Sequence, residues 1–179
     1  MFRTLLLFRA ARRRSALGIH DVASTPFRVL PTDIDFLRHM NNGVYLSIMD
    51  LGRIDLLVRA GAWAQFEKLG YYPVVASETI TFRRSLELWQ RFEVETRVAG
   101  YDEKAVYIEQ RFVVDGEIYA QAFVRGRFLK RSGGTVSLPE LASALEVDIS
   151  ELTLPEWIGR WADDVALPPS RASAPSTWI

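Results

Sequence analysis

Between residues 74 and 128 the chain alternates apolar and polar side chains almost without a break, and this alternation constrains the fold more than any other feature. Val74, Ala76, Glu78, Ile80 and Phe82 interleave with Val75, Ser77, Thr79 and Thr81. Phe92, Val94, Thr96 and Val98 interleave with Glu93, Glu95 and Arg97. Val106–Val114 and Ile118–Phe128 repeat the pattern. A period of two puts alternate side chains on opposite faces of a strand, so four strands with one apolar face are expected. Asp115-Gly116 joins the last two as a hairpin, because both residues tolerate positive φ. Tyr101–Lys104 links the middle pair. Short links between consecutive strands predict an antiparallel meander.

The sheet needs something to cover its apolar face. Residues 43–60 supply it: Tyr45, Ile48, Met49, Gly52 and Leu56 form one stripe at helical spacing, flanked by Leu46, Ile54, Leu57 and Val58. Asn41 or Asn42 caps this helix and Gly61 stops it. With Phe27–Leu30 as a further strand ended by Pro31, the expected fold is α+β: one curved antiparallel sheet around one long helix.

Helices at 138–146 and 155–165 follow from two capping boxes, Ser137-Leu-Pro-Glu140 and Thr153-Leu-Pro-Glu156. The expected division is a basic N-terminal segment over 1–22, a sheet domain over 23–135, C-terminal helices over 136–167 and a flexible tail over 168–179.

Charge is unevenly placed. Residues 1–20 hold five arginines (3, 9, 12, 13 and 14) and no acid, while the remainder holds 17 basic against 22 acidic side chains. Residues 2–17 read as a helix with Phe2, Leu5, Leu6 and Ala10 on its apolar side. Three readings stand: a membrane-surface helix over residues 1–17, an arginine-rich targeting segment, or a helix packed on the domain with a solvated arginine face. The overall formal charge of zero speaks against a nucleic-acid partner. The absence of cysteine excludes thiolate catalysis, disulfides and thiolate metal sites.

The chemistry concentrates in Asp33-x-Asp35-x-x-x-His39-x-Asn41-Asn42-Gly43-x-Tyr45. This stretch joins a strand to the start of the apolar helix, where free N–H groups favour developing negative charge. A carboxylate held there can attack a carbonyl, or deprotonate water, beside an oxyanion site. Those are the parts of acyl transfer to water. Asp33 reads as a cap for the turn after Pro31. The alternative, an Asp-x-Asp metal site for phosphoryl or glycosyl transfer, lacks further acidic ligands. Asn41 and Asn42 serve equally well as helix caps alone. Asp50 falls in the apolar stripe and, if buried, needs partners.

Asp35-(x3)-His39-x-Asn41-Asn42-(x2)-Tyr45 resembles the signature of hotdog-fold thioesterases. It is similar to the 4-hydroxybenzoyl-CoA thioesterase group, the plant acyl-carrier-protein thioesterases and, most closely, bacterial acyl-CoA thioesterase-like proteins. Tyr45–Arg53, Ile80–Ser85 and Trp89–Val94 extend the likeness over residues 27–131. The resemblance implies a hotdog fold and hydrolysis of an acyl-CoA or acyl-carrier-protein thioester. It implies Asp35 as nucleophile or general base, His39 near the thioester, and the N–H groups of Asn42 and Gly43 polarising its carbonyl. Substrate contacts are implied for Asn41, Tyr45 and Asp50, and phosphate contacts for Arg83 and Arg84. Leu37 and Ser85 depart from the plant-type pattern, which has an Asn and a Glu there, so a non-catalytic acyl binder on the same fold is the alternative. A hotdog dehydratase fits the motif less well. No metal or redox cofactor is implied. A homodimer or tetramer is expected, because a single wrapped sheet leaves an edge uncovered. A cytoplasmic location, with membrane contact through the N-terminus left open, completes the expectation.

Overall fold

The computed structural model describes residues 2–169 and 171–177, without the side chains of Phe2 and Glu151. Its elements run α1 (Phe2–Ala11), β1 (Ala23–Arg28), a 3-10 turn (Pro31–Asp33), α2 (Asn42–Arg59), α3 (Ala62–Leu69), β2 (Tyr71–Phe82), β3 (Arg91–Tyr101), β4 (Val106–Val114), β5 (Glu117–Lys130), α4 (Leu138–Leu145), a second 3-10 turn (Ile149–Glu151) and α5 (Glu156–Asp164). The five strands form one antiparallel sheet in the order β1-β3-β4-β5-β2.

The sheet wraps α2. Tyr45, Ile48, Met49, Gly52 and Leu56 are all buried, as their spacing predicts. Tyr45, Ile48 and Met49 pack on Val94, Phe112, Ala120, Ala122 and Val124 of the sheet's inner face. Gly52 allows the close approach: a Cβ there would lie 2.9 Å from both Gln110 Nε2 and Thr96 Oγ1. Gln110 Nε2 uses that space to donate to Met49 O and Thr96 Oγ1, each at 2.9 Å, so the buried amide has partners on helix and sheet.

The expected four-strand meander is corrected. Only β3-β4-β5 form one, with Asp115 (φ 50°) and Gly116 (φ 80°) making the predicted hairpin turn. β2 does not pair with β3; it pairs with β5 at the far edge. Residues 83–90 therefore cross the end of the sheet. Leu86, fully buried, anchors the crossing: its N–H donates to Tyr45 Oη and its carbonyl accepts from Met40 N at 2.8 Å.

Other boundaries also move. The early strand is 23–28 instead of 27–30, with Pro26 tolerated because β1 is an edge strand. Beyond Gly61 the chain continues as α3, a helix the sequence pattern does not announce. Ser137 caps α4 as expected, accepting from Glu140 N at 3.4 Å. The Thr153 box does not form; α5 starts after Pro155 with no side-chain cap. α5 packs Ile158 and Ala162 on Ala105 and Tyr107. The expected tail has no helix or strand over its described part; Ser170, Trp178 and Ile179 lie outside the described residues.

α1 ends at Ala11, short of the expected 17, and is rotated from the expected face. Leu7 and Ala11 are buried, while Leu5 and Leu6 are exposed. Two ion pairs set the rotation. Arg3 reaches Asp33, and Arg14, just past the helix, reaches Asp55. Arg9, Arg12 and Arg13 face solvent. Among the described residues, no helix is long and apolar enough to cross a membrane.

Candidate active site

The loop between β1 and α2 is built around a buried carboxylate. Asp33 is 4% exposed. Its Oδ2 accepts from Leu30 N at 2.8 Å, which is the turn cap expected after Pro31. Arg3 binds both of its oxygens, at 2.9 and 2.6 Å. The carboxylate is thus turned to a guanidinium and away from Asp35, which argues against a shared Asp-x-Asp metal site. The Asp33 carbonyl accepts from Asn41 N at 2.8 Å, so the same residue ties down both ends of the loop.

Within that frame, Asp35 and His39 close a tight turn. Asp35 N donates to His39 O at 3.1 Å, and Arg38 N donates to Asp35 O at 3.0 Å. Arg38 takes the left-handed conformation, φ 67°, that the turn requires. Asp35 Oδ1 accepts from Leu37 N at 2.9 Å and lies 3.9 Å from His39 Nδ1. Asp35 Oδ2 has no partner among the described residues. Both side chains are partly open to solvent, at 17% and 34%.

At the start of α2, Asn41 is the cap; its Oδ1 accepts from Gly43 N at 2.9 Å. Gly43 was expected to turn its N–H to the thioester carbonyl; here the cap takes it up. Val44 N is occupied by Asn41 O. The Asn42 N–H, in the first turn of the helix, is the one left without a partner among the described residues.

The other expected contacts separate. Tyr45 is buried, not lining an open surface; its hydroxyl accepts from Leu86 N at 3.3 Å and burial pushes its pKa up. It latches α2 to the crossing segment. Asp50 is not buried in the apolar stripe: its side chain is 63% exposed and pairs with Arg53. Arg83 is turned to the β4–β5 hairpin, bonding Glu117 at 2.9 Å and Ile118 O at 3.0 Å. Arg84 is exposed, its guanidinium 5.8 Å from the centre of the Tyr119 ring.

Two hollows flank this region. A shallow one of about 510 Å³ brings Leu37, Arg38 and His39 against Ser85, Glu87 and Leu88 of the crossing segment. His39 and Glu87 face each other in an antiparallel bridge, which puts both side chains on one face. The crossing thus brings Glu87 opposite His39 in the chain, a backbone pairing invisible to local spacing. The second is a cavity of about 600 Å³ along α2. Trp63, Phe66, Val98, Phe128, Leu141 and Leu145 line it, with Ser47, Asp50 and Arg53 as its polar wall. Neither Asp35 nor His39 lines it. Glu78 on β2 sits near Asp50 and Arg53; burial raises its pKa, Arg53 lowers it and Asp50 raises it further, with a net rise. Sequence patterning, which counted Glu78 only as a strand residue, gave no sign of this.

A sheet wrapped on one helix, with a carboxylate and an imidazole at that helix's N-terminus, defines a class. The chain matches the family model of the Thioesterase-like superfamily over residues 29–161, and it belongs to that family. Its solved neighbours share the hotdog fold. The probable thioesterase YbaW from Escherichia coli superposes with a TM-score of 0.64 at 21% identity, covering 69% of this chain and 96% of that one. The Staphylococcus aureus protein SAV2348, solved in complex with CoA, gives 0.61 at 21% identity, covering 86% and 100%. Among relatives in sequence, the chain is similar to Protein THEM6 of Xenopus laevis (44% identity over 99 residues, 55% of this chain and 48% of that protein). It is also similar to Protein THEM6 of Danio rerio (38% over 135 residues, 73% and 66%). The matched part of the chain thus spans half to two thirds of these two relatives' lengths.

Proposed function

We propose that this protein is a thioesterase that hydrolyses an acyl-CoA or acyl-carrier-protein thioester to the free acid and the thiol. The observation that carries the reading is Asp35, with His39 at 3.9 Å, in the loop that leads into α2. Asp35 attacks the thioester carbonyl or takes a proton from the attacking water. The Asn42 N–H stabilises the oxyanion, and His39 orients water or substrate. The C–S bond then breaks, and the thiolate leaves and takes up a proton; where Asp35 itself attacks, water hydrolyses the resulting acyl-aspartyl anhydride, and on either route the acid is released. The apolar cavity along α2 accommodates the acyl chain, and the CoA complex of SAV2348 supports CoA as the carrier.

Assembly belongs to the same proposal. β2 is a twelve-residue edge strand whose outer side is unpaired among the described residues, and Tyr72, Val75 and Phe82 on it are exposed. Phe36 and Leu37, beside Asp35, are 91% and 58% exposed. A second copy of the chain, as a homodimer or within a tetramer, covers both. The outward face of α1, with Leu5, Leu6 and Arg9, and the turn after it, with Arg12 and Arg13, suit peripheral contact with an anionic membrane from the cytoplasm.

A second reading, acyl binding without hydrolysis, is favoured by the occupied Gly43 N–H. Thiol release from a panel of acyl-CoAs separates the two. Multiple turnover in the wild type, lost in Asp35→Asn, supports hydrolysis. Stoichiometric binding without thiol release supports the second reading.

A further inference from the structure

We infer that Arg3, on a helix outside the span matched by the family, is a positioning residue for the reaction loop. α1 precedes residue 29, where the family match begins. Yet its first turn reaches into the site. Arg3 holds both oxygens of Asp33, and this carboxylate is nearly out of water, with its side chain 5% exposed against 32% for Arg3. A carboxylate so placed needs a cation and donors to stay charged in position. Arg3 is the cation within ion-pair distance of Asp33 among the described residues.

What Asp33 then does is geometric. Its Oδ2 fixes Leu30 N at 2.8 Å, where β1 leaves the sheet. Its carbonyl fixes Asn41 N at 2.8 Å, at the cap of α2. Asp35 and His39 lie on the eight residues between Asp33 and the α2 helix, and their own backbone link closes only that loop. Removing Arg3 leaves the Asp33 charge buried beside one N–H, that of Leu30, and the Thr32 hydroxyl, neither of which neutralises it. The carboxyl must then draw in water or turn outward, and either change releases the loop at both anchors. Arg3 touches neither Asp35 nor the open Asn42 N–H, so its effect travels through Asp33.

The neighbouring residue extends the connection. Thr4 lines the 600 Å³ cavity, and Phe8 packs edge-on against Trp63 of the cavity wall at 5.0 Å between ring centres. One short helix therefore touches the acyl cavity with one residue and the loop anchor with the next.

The proposal rests on the reading of Asp35 as the reacting carboxylate, so the test has two arms. In the first, acyl-CoA hydrolysis by full-length Arg3→Gln is expected to lose kcat by roughly ten- to a hundredfold, the scale of misplacing a reacting group, with KM held. Arg3→Lys, which keeps the charge but not the two-pronged grip, restores part of it. Arg14→Gln, which loosens the other end of the α1 segment, leaves kcat unchanged. In the second, hydrogen exchange at the Leu30 and Asn41 amides speeds up in Arg3→Gln and not in Arg14→Gln. If Arg3→Gln fails to fold, Arg3→Lys carries both readings in weaker form. Wild-type kcat together with wild-type protection of the two amides in Arg3→Gln overturns the proposal. A wild type that hydrolyses no thioester overturns the reading of Asp35, and the exchange arm still decides whether Arg3 positions the loop.

Discussion

Arg14 reaches 41 residues along the chain to place Nη1 3.0 Å from Oδ1 of Asp55, a carboxylate with no exposed surface. Oδ2 of the same group accepts from Thr25 at 3.0 Å and Arg59 at 3.2 Å. The pairings join the chain after α1, strand β1 and α2 at one point. Asp55→Ala strips the carboxylate from Arg59, which is only 9% exposed and keeps just its bonds to Ser15, and from Thr25, which is fully buried. The expected cost is about 3–5 kcal/mol, typical of breaking a buried pair from one side. Urea unfolding measures it. Arg14→Gln should cost less, because Arg59 and Thr25 remain.

Glycine at two helical positions should give opposite signs when replaced by alanine. In Gly52→Ala the new Cβ lies 2.9 Å from Gln110 Nε2 and Thr96 Oγ1 and 3.0 Å from Val94 Cγ1. Overpacking of this kind costs about 1–3 kcal/mol. Gly159 lies inside α5 with nothing within 4 Å of its Cβ position. Gly159→Ala is expected to stabilise by up to about 1 kcal/mol through helix propensity. Thermal melts of the two variants side by side provide the check.

Local patterns were readable and long-range partners were not. The α2 stripe and the β3-β4-β5 hairpins follow from periods of 3.6 and 2 and from Asp115-Gly116. The place of β2 was not readable, because alternation tells which face of a strand is buried but not which strand lies beside it. Asp55 was missed since its partners Arg14 and Thr25 lie 41 and 30 residues away. The candidate loop is legible where it is local: Asp35, His39 and Asn41 fall within seven residues of one another, the first two closing one turn and Asn41 capping α2 just after it. Glu87 comes to that loop only through the crossing at 83–90, and Gly43 reads as a donor until the cap geometry is seen.

Glu109 makes acid stability depend on one outer-face cluster. Burial alone would raise its pKa, but hydrogen bonds from Arg97, Gln121 and Arg111 outweigh burial and hold it below the ordinary 4.5. A carboxyl depressed in the folded state binds its proton more readily when unfolded. Its stabilising contribution is therefore complete above the unfolded value and is lost as pH falls through the folded one. Glu109→Gln should be less stable than wild type at pH 7 and close the gap as pH falls below about 4.5. Urea midpoints from pH 7 to pH 3 test this; a constant difference across that range would refute it.

The far wall of the cavity should set acyl length. Leu141 of α4 is 5% exposed and lines the cavity with Leu145, Trp63 and Phe66, whereas Ser47 and Asp50 lie on the α2 turns toward the reaction loop. A chain entering from the loop side meets Leu141 with its terminal carbons. Leu141→Trp fills that end without touching Asp35 or His39. The loss of a few methylenes of apolar contact corresponds to roughly ten- to a hundredfold in kcat/KM. The expected result is a drop of that size for the longest accepted acyl-CoA, with short-chain thioesters hydrolysed as by the wild type. Equal losses at every chain length would mean that the acyl group does not reach α4, and would place it outside this cavity.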